Sequence, residues 1–97
     1  MSTHREEHEH PIGKVVGVLG RGVTADWMAV AMVLTESGRI THRNVEAFNC
    51  SEEDARTNLV GMLAEAFAFA SAQYQEIMEA KTATVVECRS IVEQANA

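Results

Sequence analysis

Histidine and glutamate alternate through Thr3–His10, where His4, His8 and His10 stand among Glu6, Glu7 and Glu9. Imidazole nitrogens and carboxylate oxygens are ligands for Zn²⁺ or Ni²⁺. A chain end without large apolar side chains has no preformed geometry, so only adventitious metal binding is expected, and no metal or cofactor is assigned. Cys50 and Cys88 are too far apart for a CxxC site and read as half-buried thiols in a reducing compartment. The glycines of Gly17-Val18-Leu19-Gly20-Arg21-Gly22 lack dinucleotide-loop spacing, and 97 residues leave no room for a repeated βαβ unit. No Ser–His–Asp set, paired carboxylate or activated thiol emerges, so the chain does not read as an enzyme.

The most informative stretch is Gly38–Leu59. Ser51 is a good N-cap, and Glu52, Glu53 and Asp54 bring negative charge to the positive end of a helix dipole. Thr41 can cap a short helix over His42–Phe48, with Asn49 and Cys50 as the turn between the two. A helix pair of this kind presents one member to a DNA groove or to a partner surface. The formal net charge of −6 works against non-specific polyanion binding. Even so, four of the six arginines lie within residues 21–56, which leaves room for a local basic face.

These residues must be positioned by a small domain. Hydrophobic residues at 46%, few aromatics and a single proline argue for a folded chain with an Ala-, Val-, Leu- and Met-rich core. The expected fold class is all-α: a compact helical domain in which a helix-turn-helix precedes long C-terminal helices. Residues 1–10 are expected to be a disordered tail and 11–97 a single helical domain, with the helix-turn-helix over 24–70 and oligomerisation helices over 62–96. Ile12, Val15, Val16 and Leu19 have helical spacing, although Lys14–Leu19 also suits a strand. Thr24 caps a helix over Ala25–Ser37, apolar around most of its circumference, and Gly38 ends it. From Ser51 a seam of alternating steps runs through Leu63, Phe67, Ala70, Tyr74 and Ile77 towards Ile91, with a break expected near Lys81–Thr84. Its apolar arc is wider than one neighbouring helix would cover. These six seam residues are therefore assigned to a homo-oligomer interface. No apolar run is long enough for a membrane helix and no signal peptide is evident, so a cytoplasmic location is expected.

Gly38-Arg39-Ile40-Thr41, then Val45, then Cys50-Ser51-Glu52-Glu53-Asp54-Ala55-Arg56-Thr57-Asn58-Leu59 resembles the helix-turn-helix of winged-helix (DeoR-type) transcriptional regulators. The resemblance covers residues 25–63, with Ala25–Ser37 in the place of that family's first helix. It departs by one residue fewer between Ile40 and Ser51, by Asn49 at the turn glycine, and by the lack of a wing. The resemblance implies a recognition helix in the major groove, with Arg56 on guanine and Thr57 on a base or phosphate. It places Arg39, His42 and Arg43 near phosphates, with the caps Thr41 and Ser51 completing the DNA-binding set. The implied function is a transcriptional regulator that reads DNA as a dimer or higher oligomer. The alternative is an acidic helical adaptor or inhibitor that binds a partner protein, for example by occupying its nucleic-acid-binding surface. Surface charge separates them: a positive patch around Arg39, Arg43 and Arg56, or a negative face over Glu52–Asp54 and Glu65–Glu79.

Overall fold

The computed structural model describes residues 3–95, the side chains of 87, 88 and 90–95 excepted. Four strands, β1 (His4–His10), β2 (Gly13–Arg21), β3 (Trp27–Thr35) and β4 (Ile40–Phe48), precede one helix, α1 (Glu52–Ala95). The strands form an antiparallel meander in the order β1-β2-β3-β4. The fold is therefore mixed α and β, which overturns the all-α expectation.

The corrections have identifiable physical causes. The expected helix over Ala25–Ser37 is strand β3, in which Trp27, Ala29, Ala31 and Val33 are buried and the residues between them half-buried. Both faces of that strand are apolar, so its period of two is invisible and the segment mimics a helix apolar all round. The expected helices over Ile12–Leu19 and His42–Phe48 are likewise β2 and β4. Residues 4–10, expected as a disordered tail, pair along their whole length with β2, from His4 opposite Leu19 to His10 opposite Gly13. A strand this polar is an edge strand: its backbone bonds hold it, and its charges discourage further pairing.

Local turn chemistry sets the meander. Pro11, assigned from sequence to a helix start, instead occupies the turn between β1 and β2 with Ile12. Gly13 follows with φ +151°, and a Cβ there would lie 2.1 Å from the Leu34 carbonyl oxygen, so glycine is required. Between β3 and β4, the Gly38 amide donates to the Thr35 carbonyl at 2.9 Å, and the Thr35 amide to the Arg39 carbonyl at 2.9 Å. This is a hairpin, where sequence suggested a helix end.

Helix α1 begins as expected. The Asp54 amide donates to Ser51 Oγ at 3.2 Å, and the Ala55 amide to the Ser51 carbonyl at 2.9 Å. The helix then lies across one face of the sheet. Val15, Leu19, Trp27, Ala29, Ala31 and Val33 pack against Ala55, Leu59, Met62, Leu63, Ala66 and Ala70 to form the core. Its small residues let helix and sheet approach closely: a Cβ on Gly17 would meet the Leu63 methyls at 2.9 and 3.0 Å. The break expected near Lys81–Thr84 is absent, since α1 continues unbroken to Ala95. Thr82 and Thr84 are accommodated because their hydroxyls donate back to the carbonyls of Met78 and Ala80, each at 2.9 Å. No helix among the described residues is long and apolar enough to cross a membrane.

Candidate interaction surfaces

The seven residues assigned to DNA do not converge. Arg39 is in the β3–β4 turn, and Thr41, His42 and Arg43 lie near the start of β4, whereas Ser51 stands about 30 Å from Thr41 beyond the strand's other end and Arg56 and Thr57 follow in the first turns of α1. Side chains alternate faces along the strand except at the irregularity opposite Val33 and Leu34, where Thr41 and His42 both face the helix. Thr41 points to the helix and donates from Oγ1 to Gln73 Oε1 at 3.0 Å. His42 stacks on Phe69 with ring centroids 4.8 Å apart, its Nε2 buried and without a hydrogen-bond partner. Arg43 projects from the opposite face. At the helix start, Arg56 pairs with Glu52 at 3.3 Å, and the Thr57 hydroxyl donates to the Glu53 carbonyl at 3.1 Å. The helix pair that supported DNA recognition is absent, because its first member is a strand and its second lies along the sheet.

The assigned oligomer seam divides at Tyr74. Leu63 and Ala70 are buried under the chain's own sheet, and Phe67 and Tyr74 pack against that core. Ile77 lies beyond the sheet at 38% exposure, and the Ile91 side chain is outside the described residues. At 1.5 Å per residue, the turns from Gln75 to Ala95 extend about 30 Å past the body, and the molecule measures 69 × 20 × 20 Å. The stripe that faces the sheet continues along this arm as Ile77, Ala80, Lys81, Thr84 and Val85, which line a shallow apolar depression.

The second uncovered surface is the sheet face turned away from α1, which sequence reasoning missed. Strand registers place its side chains in four rows: Gly20–Met28–Ala47, Arg5–Val18–Val30–Val45, Glu7–Val16–Met32–Arg43 and Glu9–Lys14–Leu34–Ile40. The centre is apolar, the β1 edge is charged, and Arg43 is the charged residue on the β4 side. Val45 and Ile40 are 47% and 49% exposed. The signal was present in the sequence as the second apolar set of β3, namely Met28, Val30, Met32 and Leu34.

On the helix side of β1, His4, Glu6, His8 and His10 form a polar margin to the core. Glu6 bridges two histidines, with Oε2 2.5 Å from His4 Nε2 and Oε1 2.9 Å from His8 Nε2. The bonds to His8 and then His4 hold its carboxyl below the usual range. His10 accepts from the Ile12 amide through Nδ1 at 3.1 Å, which leaves Nε2 to donate to Ser71 Oγ at 3.2 Å in the neutral ring. His8 also edges against Phe67 and His10 lies tilted beside it, with centroids 5.5 and 6.4 Å away. These rings fasten the edge strand to the helix. Among the described residues no group of three or more His, Cys, Asp or Glu could hold a metal ion. Cys50 is half-buried, and desolvation, followed by Asp54 and Asp26, pushes its thiol pKa up, away from nucleophilic use.

Set against models of known protein families, curated proteins and solved structures, the chain matches none. Its functional reading therefore rests on the two uncovered apolar surfaces.

Proposed function

We propose that this protein is an adaptor that acts by binding another protein, with the projecting arm of α1 as its docking element. One observation carries this reading. The buried stripe of α1 ends against the sheet at Tyr74, and the same stripe continues uncovered through Ile77, Ala80, Thr84 and Val85, with Lys81 among them. An isolated helix gains little from remaining helical in water, whereas an amphipathic one is stabilised by a partner that covers its apolar side. Ala80 and Thr84 are small enough for close helix–helix approach. Glu76 flanks the stripe, and the whole chain carries a formal charge of −6. The occupant that fits is a basic amphipathic helix of a second protein, laid along the stripe with its cations towards Glu76.

The test is site-specific photo-crosslinking of the full chain in the cells that make it. Probes go at Thr84 and Val85 on the stripe and at Glu79 on the far side of the helix. The expected result is an adduct from the stripe positions alone, whose cross-linked segment is a basic amphipathic helix of another protein. Adducts only with itself, equal yield from Glu79, or no adduct would overturn the reading.

A further inference from the structure

We infer that the sheet face turned away from α1 is the contact with a second copy of this chain, related by a two-fold axis running along the strands. The size of the face is the first argument. Four strands about 4.8 Å apart and nine residues at about 3.3 Å each give a footprint of roughly 19 by 30 Å. Two such footprints bury on the order of 1,100 Å², where specific protein interfaces begin. Its centre, Val18, Val30 and Met32, is apolar and only half-buried, around Val16, which the chain itself already covers.

Charge then selects the axis. Glu7, Val16, Met32 and Arg43 occupy one row across the sheet, an acid at one end and a base at the other. A two-fold axis along the strands reverses strand order and preserves rows. It sets Glu7 of each copy over the other copy's Arg43, twice in the dimer. The two-fold axis across the strands, through the centre of the four rows, would instead set Glu7 over the other copy's Arg5, a cation type it already bridges within its own chain, and leave Arg43 opposite Val45 with no carboxylate. Glu7 already bridges Arg5 at 3.0 Å and Lys14 at 3.9 Å, which hold its carboxyl ionised to lower pH. Arg43 makes no hydrogen bond or ion pair among the described residues, so it is available to the partner. The sheets pack aligned, offset by about 30° because each is twisted.

This dimer has a consequence for the arms. The axis preserves strand direction, so both arms project the same way from the outer layers of a helix–sheet–sheet–helix stack. With layers about 10 Å apart, their axes are roughly 30 Å apart and their apolar stripes face one another. That gap admits two helices of about 10 Å diameter, one on each stripe. The fork rests on the arm reading above; the dimer itself does not.

Sedimentation equilibrium on the full chain tests the dimer without any other partner. Wild type is expected at twice the 10.6 kDa chain mass at micromolar concentration. Met32→Asp is expected to be monomeric, with an unchanged far-UV circular dichroism spectrum. Glu7→Arg and Arg43→Glu should each weaken dimerisation at least tenfold, and the double variant should recover most of the loss. Should Met32→Asp fail to fold, the charge-exchange series still decides. A monomeric wild type, or a double variant no better than the singles, overturns the inference. Ile77→Asp on the arm should leave the dimer intact, so failure of the arm reading is seen separately.

Discussion

Glycine at position 17 decides how close the helix can come to the sheet. A valine there would put three carbons into space that the Leu63 side chain occupies. Gly17→Val should cost about 1–3 kcal/mol, the range for overpacked cores, measured as a lower urea midpoint with unchanged slope. Glu6 makes a different prediction. Its carboxyl lies below the ordinary glutamate value in the folded chain because His8 and His4 bond to it. A group of that kind contributes stability above its unfolded pKa and loses it as pH falls through the folded value. Wild type should therefore lose more stability than Glu6→Gln when urea denaturation is repeated at pH values descending from about 4.5. Equal losses in both would show that the His4–Glu6–His8 bridge does not operate in solution. Neither residue's role was legible in the sequence. Gly17 stood out only as a helix weakener, and the histidines of residues 4–10 gave no sign of a strand, because what fixes them is Phe67, fifty-nine residues beyond His8.

At the scale of elements, the N-terminal cap at Ser51 was legible, because a cap is a local arrangement of four residues. The strands were not. β3 presents Trp27, Ala29, Ala31 and Val33 inward and Met28, Val30, Met32 and Leu34 outward, so nothing polar marks its alternation. In β4, Val45 and Phe48 imitate a helical step of three while they lie on opposite faces of the sheet. β1 carries no apolar signal, since its partner is a backbone. The resemblance over residues 25–63 arose from turn and cap residues that serve a hairpin and a long helix equally well. The arm makes the element-level prediction. Lys81→Pro removes a helix hydrogen bond and clashes with the carbonyl of Ile77, beyond the last core contact at Tyr74. The variant should lose helical circular dichroism yet keep the wild-type thermal midpoint. A fall of several degrees would mean that the arm is part of the cooperative fold.

For the whole molecule, the apolar surface exceeds what one helix on one sheet can cover. Sequence reasoning detected that excess as a wide apolar arc on the C-terminal helix and assigned all of it to self-association. The structure divides it differently: the stripe through Tyr74 closes the chain's own core, the arm beyond is open, and a second open surface lies on the far side of the sheet. An acidic two-armed dimer accounts for both surfaces, and its arms are held apart by the body. The most direct measurement is pulsed dipolar electron spin resonance between arms. Cys50→Ser and Cys88→Ser remove the native thiols, and Thr82→Cys carries the label. The account predicts an inter-arm distance centred at about 30–40 Å, set by the four stacked layers. A distance below about 20 Å, as for arms zipped into a coiled coil, or no dipolar coupling at all, would contradict it.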